Sequence, residues 1–255
     1  MTRARAPKAQ ADHYSYAVYA DSAMAESFDA VRFGGPIGRL IAETQERVLT
    51  SFLAPVNGRR VLDVGTGTGR AAILLARRGA SVTGVDAAEE MLVVARRRAS
   101  EVGASVTFEV GDAHRLAYAD RSFDDVVCLR VLMHTPGWKE SLGELCRVAR
   151  HRVVFDYPAL ASAAALQAVA RRVAQSFGAR VEAYRVFSDR SVDAVLAAHG
   201  YRVRNRHRQF VFPIALHKSI GSPSVTERLE GVCAWSGLRS LVGSPVTVVA
   251  ERCAS

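Results

Sequence analysis

Val61-Leu62-Asp63-Val64-Gly65-Thr66-Gly67-Thr68-Gly69 is an apolar strand running directly into a glycine-rich turn, and the helical period that follows makes the whole a strand, loop and helix unit. Closely spaced glycines permit a tight turn and let a ligand approach the backbone without Cβ interference. They do so here at the amino end of a helix, where N–H groups point outward. A nucleotide-type ligand is expected there. The next strand ends in Asp86, 17 residues beyond Gly69, where a carboxylate can accept from both hydroxyls of a ribose.

Outward from that unit, short β-branched runs alternate with longer segments of helical period. Strands are expected at 60–64, 81–86, 105–110, 123–129 and 152–156, and helices at 69–78, 88–101 and 138–149. This is the pattern of strands joined by crossover helices, an α/β fold with a mostly parallel sheet. Gly79 and Gly103 stand where a left-handed turn closes a helix, and Tyr157-Pro158 stops the fifth strand. Two more helical stretches are expected at 161–177 and 191–199. A strand at 201–208 then carries arginine at every second position, one strongly basic face that protects a solvated edge. A helical insertion at about 222–241 and a last strand at 245–250 complete the chain. Residues 25–52 read as one or two helices lying against the sheet or over its carboxyl edge, a candidate lid. The organisation expected is an extension and lid over 1–52 and one domain over 53–255.

A dinucleotide is the obvious competitor for the loop, because Gly65-x-Gly67 begins its phosphate-binding fingerprint, which next requires Gly or Ala. That position is Arg70. A large charged side chain obstructs the close packing of helix on strand that the fingerprint serves, whereas Gly69 one residue earlier fits a different loop. Asp63, two residues before the first glycine, would repel a pyrophosphate. It could instead order the loop and meet the ammonium group of an amino-acid-bearing nucleotide.

These residues resemble the class I (Rossmann-like) S-adenosylmethionine-dependent methyltransferases, whose first motif is an apolar strand, an acid and GxGxG. The resemblance covers roughly residues 28–156 and is closest to the small-molecule group that includes quinone-biosynthesis methyltransferases. It implies a seven-stranded, mostly parallel sheet with helices on both faces and S-adenosyl-L-methionine as cofactor. On that resemblance Asp63, Gly65, Thr66, Gly67 and Gly69 hold the methionine part, Asp86 with Ala87 the ribose, and Met91 packs near the adenine. Gly111-Asp112-Ala113 matches the family's next motif, so Asp112 would recognise the adenine amino group beside Ala113, and Arg130 would reach the cofactor from the end of the fourth strand.

A sulfonium methyl is already electrophilic, so the protein has mainly to align an acceptor and, for some acceptors, remove a proton. Ligands of open α/β sheets sit beyond the carboxyl ends of the strands, which selects Arg130, His134, Asp156 and Tyr157. His134 is the candidate general base for a hydroxyl or carbon acid, its imidazole titrating near neutrality; the alternative is a histidine ordering the turn before Trp138. Tyr157 lines the pocket or packs at the strand end. Phe28 stands where the family often has Tyr-Asp, and with Phe33 it could wall the reacting centre from water. Residues 210–218 are apolar and basic together, and read as core, as an acceptor pocket or as a peripheral membrane contact.

The composition narrows the partners. Net charge is +9, and with lysine only at 8, 139 and 218, the other 31 basic residues are arginine. Such charge suits nucleic acid, an anionic surface or an acidic substrate, yet also follows from a plain preference for Arg, Ala and Val codons. The chain shows no DNA- or RNA-binding module and no Asn/Asp-Pro-Pro-aromatic base motif. Cys128, Cys146, Cys233 and Cys253 are widely spaced, so neither a disulfide nor a metal site is expected. The opening segment lacks a signal-peptide apolar stretch and no apolar run is long enough to span a bilayer, which predicts a soluble cytoplasmic protein. The expectation is methyl transfer to a small, apolar acceptor (aromatic, isoprenoid or lipid-like), on oxygen before carbon. The rivals are an RNA methyltransferase and a non-catalytic cofactor-binding regulator.

Overall fold

The computed structural model describes residues 22–165, 168 and 184–253. Helices α1 (Ser22–Phe33) and α2 (Gly35–Leu53) precede β1 (Arg60–Val64). Then come α3 (Arg70–Ala76), β2 (Ser81–Asp86), α4 (Glu89–Glu101), β3 (Val106–Val110), β4 (Phe123–Cys128), a 3-10 turn (Leu132–His134), α5 (Trp138–Val148) and β5 (Ala149–Tyr157). The last part holds α6 (Asp189–Ala198), β6 (Tyr201–Phe210), α7 (Ile214–Ile220), α8 (Pro223–Trp235), α9 (Leu238–Val242) and β7 (Ser244–Arg252). The expected extension before residue 22 and most of the expected helix at 161–177 lie outside the described residues.

Seven strands among the described residues form one sheet in the order β3-β2-β1-β4-β5-β7-β6. The pairs from β3 to β5 are parallel, and β7 lies antiparallel between β5 and β6. Alternation along the central strands sorts their side chains onto two buried faces. Leu62, Val126, Val153, Phe155 and Val248 pack with Leu142 and Leu145 of α5 and Val192 and Leu196 of α6. Val61, Val127, Val154 and Val249 point the other way, onto Leu49 and Leu53 of α2 and Leu75 of α3. The result is a three-layer α/β/α molecule with its core on both sides of the sheet. Chain order reverses between β1 and β4, so their carboxyl ends open a crevice at the topological switch point.

Three features depart from the sequence reading. First, β5 begins at Ala149 with no intervening link, because Ala149 N–H caps α5 on Leu145 O while its backbone already pairs with β4. Second, β6 is an edge strand, but its register shifts between Val203 and Asn205. An extra residue flips the alternation, so Arg202 and Arg204 face solvent while Arg206 pairs with Asp193 and Arg208 with Asp189 of α6. The expected single basic face is thereby split. Third, α7, α8 and α9 all lie between β6 and β7, with Glu230 of α8 buried and accepting from Val211 N–H, Phe212 N–H and the His217 ring. Phe210 packs with Ile37 and Ile41 of α2, so it belongs to the core, whereas Leu216 on α7 is exposed.

At the opposite edge from the crevice, Asp125 of β4 is fully buried and bridged by Arg59 and Arg152 at 2.6 and 2.7 Å. Arg152 also donates to Phe52 O and Leu53 O, fixing the end of α2 to the sheet. Trp138 opens α5 and packs edge-on to Phe187 at 4.9 Å, whereas Trp235, at the end of α8, is 89% exposed. No helix among the described residues is long and apolar enough to cross a membrane.

Candidate active site

The loop after β1 takes its shape from backbone that only glycine adopts without strain: Gly65 and Gly67 have φ of 69° and 55°. A Cβ at Gly65 would meet Val131 Cγ2 at 2.1 Å, whereas one at Gly67 would meet nothing within 4 Å and would project into the space left for a ligand. Two acids clasp the loop. Asp63, buried in β1, accepts from Thr66 Oγ1 at 2.7 Å, and burial pushes its carboxyl up to about 6. Asp86, at the end of β2, accepts from Gly67 N–H at 2.8 Å and Ala88 N–H at 3.0 Å, and burial raises its pKa as well. The strand-end acid thus braces the loop tip 19 residues earlier in the chain.

Across the switch point, the chain leaving β4 reaches Arg130, a non-glycine residue with φ of 63°. Such a conformation is strained and persists only where neighbours over-determine it. Here Asp156 of β5 does so, accepting Arg130 N–H at 2.5 Å. Asp156 is buried, which raises its pKa, while the Arg130 N–H bond and the Arg130 charge oppose the rise. The 3-10 turn that follows carries His134 to the cavity wall, 9% exposed.

Residues of α1 and α2 cover this crevice. Thr68 Oγ1 donates to Asp29 of α1 at 3.1 Å, and Arg98 of α4 pairs with the same carboxylate. Ala25 and Phe28 of α1 pack with Ala88, Met91 and Val94. The cavity is lined by Asp63, Gly65, Thr66, Gly67, Asp86, Ala87, Met91, Gly111 and Ala113 from the loops after β1, β2 and β3. Arg70 of α3, Arg130, His134 and Thr135 after β4, and Phe28, Arg32, Phe33 and Gln45 of α1 and α2 complete it.

Most residues selected from the sequence therefore meet in one cavity, and four do not line it: Asp156, which holds Arg130 from behind, and Gly69, Asp112 and Tyr157. Gly69, at φ 80°, caps α3 with its Cα against Ala95, Phe108 and Ile73. Asp112 turns its carboxylate to His114, accepting the backbone N–H at 2.9 Å and lying 2.8 Å from Nδ1, and so holds the corner between Gly111 and Ala113. Tyr157 is buried, its hydroxyl donating to Asp189 at the start of α6 and its ring tilted on Phe155 and Phe187. A pocket role for Tyr157 is replaced by a packing one. Sequence reading missed Asp29, Arg32, Gln45, Thr68 and Arg70 as cavity residues. For Arg70 a signal was present: a cation opening a helix, where the dipole disfavours it.

Residues 61–152 match the model of a methyltransferase domain family. Over 116 residues the chain is 37% identical to the methyltransferase GfsG of Streptomyces halstedii, covering 43% of this chain and 42% of that protein. Over 86 residues it is 45% identical to a ubiquinone biosynthesis O-methyltransferase of Paracidovorax citrulli, covering 33% and 36%. The chain thus spans about two fifths of the length of the curated relatives it matches. Among solved structures, magnesium protoporphyrin IX methyltransferase from Synechocystis PCC 6803 with bound SAM superposes with a TM-score of 0.62 at 20% identity, covering 95% of this chain and 99% of that one. The fold is the Rossmann-like fold of class I methyltransferases.

Proposed function

We propose that this chain is an S-adenosylmethionine-dependent methyltransferase acting on a small-molecule acceptor, with oxygen methylation ahead of carbon methylation. One observation carries the reading: Asp63 and Asp86 clasp a glycine loop that opens, at the switch point, into a lidded cavity with His134 on its wall. The relative named as a ubiquinone biosynthesis O-methyltransferase supports it.

The residues fit the cofactor. Gly67 leaves the backbone bare where a Cβ would intrude. The Asp86 carboxylate, held by the Gly67 and Ala88 N–H groups, has oxygen lone pairs that suit the hydroxyls of a ribose. Asp63 sets a negative charge at the root of the loop for an ammonium group, and Met91 with Ala113 offers an apolar slot for a base. When bound, the cofactor supplies an electrophilic methyl group whose bonding pair returns to its sulfur. This chain's part is then to align and to deprotonate. Phe28 and Phe33 exclude water from the cavity. An imidazole nitrogen of His134 takes the proton of an acceptor hydroxyl as its oxygen attacks, and Asp156 holds the Arg130 corner from which the histidine turn departs.

The test is transfer of labelled methyl from S-adenosylmethionine into a host-cell extract, separated afterwards into organic, aqueous small-molecule and RNA fractions. Label in a small-molecule fraction is the expected result, in the organic phase if the acceptor is apolar. Label in RNA would overturn the substrate class, and cofactor binding with no transfer at all would make the chain a binding protein.

A further inference from the structure

Helix α8 has its polarity reversed. Its buried residues are Thr226, Glu230 and Cys233, at the spacing of one helical face. Turned to solvent are Val225, Arg228, Val232 and Trp235, whose steps of three, four and three residues form a single stripe. Val232 is 65% exposed and Trp235 89%. Glu230 can face inward because Val211 N–H, Phe212 N–H and the His217 ring satisfy its carboxylate. The apolar side chains on the outer face stabilise nothing in the isolated chain.

The neighbouring helices continue the pattern. Leu216 and Ile220 of α7 and Leu238 and Leu241 of α9 are exposed as well. With Val225, Val232 and Trp235 they make seven exposed large apolar residues between 214 and 242, against five in all the rest of the described residues. Single exposed apolar residues are ordinary, but a concentration of this kind marks a surface that meets something.

The charges set among these residues select the partner. Lys218, Arg228 and Arg239 stand between 214 and 242 with Glu227 as the one exposed acid, Glu230 being buried. The chain as a whole carries +9. A second copy would bring the same cations against these and be repelled, whereas an anionic surface is drawn to them. No helix among the described residues is long and apolar enough to cross a bilayer. The geometry that fits is a short amphipathic helix lying in the headgroup plane, its tryptophan at the depth between water and acyl chains.

We propose that α7, α8 and α9 form a docking surface for an anionic lipid bilayer, with Val232, Trp235 and Leu241 entering it and Arg228 and Arg239 meeting its phosphates. The surface is joined to helices that line the cavity. Lys218 Nζ donates to Val31 O near the end of α1 at 3.3 Å, and Ile214 packs with Ile37 and Ile41 of α2.

The test is sedimentation of the full chain with vesicles of phosphatidylglycerol and phosphatidylcholine in equal parts, beside vesicles of phosphatidylcholine alone. Binding to the anionic vesicles is expected, about tenfold or more above the neutral ones and weakened by salt. Trp235 emission should shift to the blue on binding, and Trp235→Phe should remove that shift. Arg228→Gln and Arg239→Gln should each lower the partition coefficient about fivefold. Arg77→Gln, at an exposed arginine closing α3, should change it by less than about twofold. Val232→Ser combined with Trp235→Ser should abolish binding while circular dichroism stays that of the wild type. Equal losses from Arg77→Gln and Arg228→Gln would reduce the attraction to net charge and overturn the assigned surface. A wild type that leaves anionic vesicles unbound overturns it outright, and dimers dissolved by the double serine variant, with no vesicle binding, would give the face to a second copy. None of these readouts depends on methyl transfer, so the outcome leaves the proposed activity untouched.

Discussion

Burial lifts the Asp63 carboxyl from its ordinary 3.8 to about 6, so between those pH values the folded chain keeps a proton that the unfolded chain has released. The stability this contributes is complete below about pH 3.8 and is lost as pH rises through 6, roughly 3 kcal/mol in all. Asp86 and Asp156 are raised in the same direction, so Asp63→Asn should flatten, without abolishing, the fall of the urea midpoint between pH 4 and 6. An ammonium group placed at Asp63 favours the ionised form, so S-adenosylhomocysteine binding at pH 5 should expel a proton. Calorimetry in two buffers of different ionisation enthalpy reads it, and identical heats would remove that contact. Asp86→Ala should weaken the same ligand by about 1.5–3 kcal/mol, whereas His134→Ala should keep cofactor affinity and lose turnover; an unaltered rate would leave His134 structural. The sheet-side residues were legible because a strand, an acid and three glycines are contiguous in the chain. Phe28, Phe33, Arg130 and His134 were legible as well, but Asp29 and Arg32 were not, because they reach the cavity only through packing between distant segments.

Among the elements, β1 and β2 keep the limits expected of them, since their apolar runs are bracketed by Arg59-Arg60, Ser81 and the glycine loop. Where charged residues lie inside an element, the pattern misleads. Arg150 and His151 look like a linker, yet they stand exposed on the outer end of β5 beside Asp124. The β6 arginines look like one face until the bulge turns two of them onto α6. The same α6 contact explains Tyr157, whose alternation puts it on the α5 and α6 side of the sheet. Burial raises the pKa of its hydroxyl, which stays protonated and donates to Asp189. Tyr157→Phe should therefore cost about 1 kcal/mol in chemical denaturation with no change in methyl-transfer rate. A fall in rate with stability unchanged would return Tyr157 to the site.

For the whole molecule, a charge of +9 suggests a polyanion, and ion pairing leaves that surplus unchanged while giving part of the arginine a structural place. Arg59 and Arg152 meet Asp125, Arg97 meets Glu26, Arg98 meets Asp29 and Arg147 meets Glu144. These pairs join β4 to β5 and to the residue before β1, and α1 to α4. The placement of the two tryptophans gives the molecule a spectroscopic consequence. Trp138 sits in the core against Phe187, three residues past Thr135, which caps the turn ending at His134, while Trp235 stands in water. Native emission should be a sum of a blue-shifted and a red-shifted band, and acrylamide should quench the red one first. Replacing Trp235 with Phe would leave a single emitter beside the histidine turn, a built-in optical gauge of whether ligands tighten that wall.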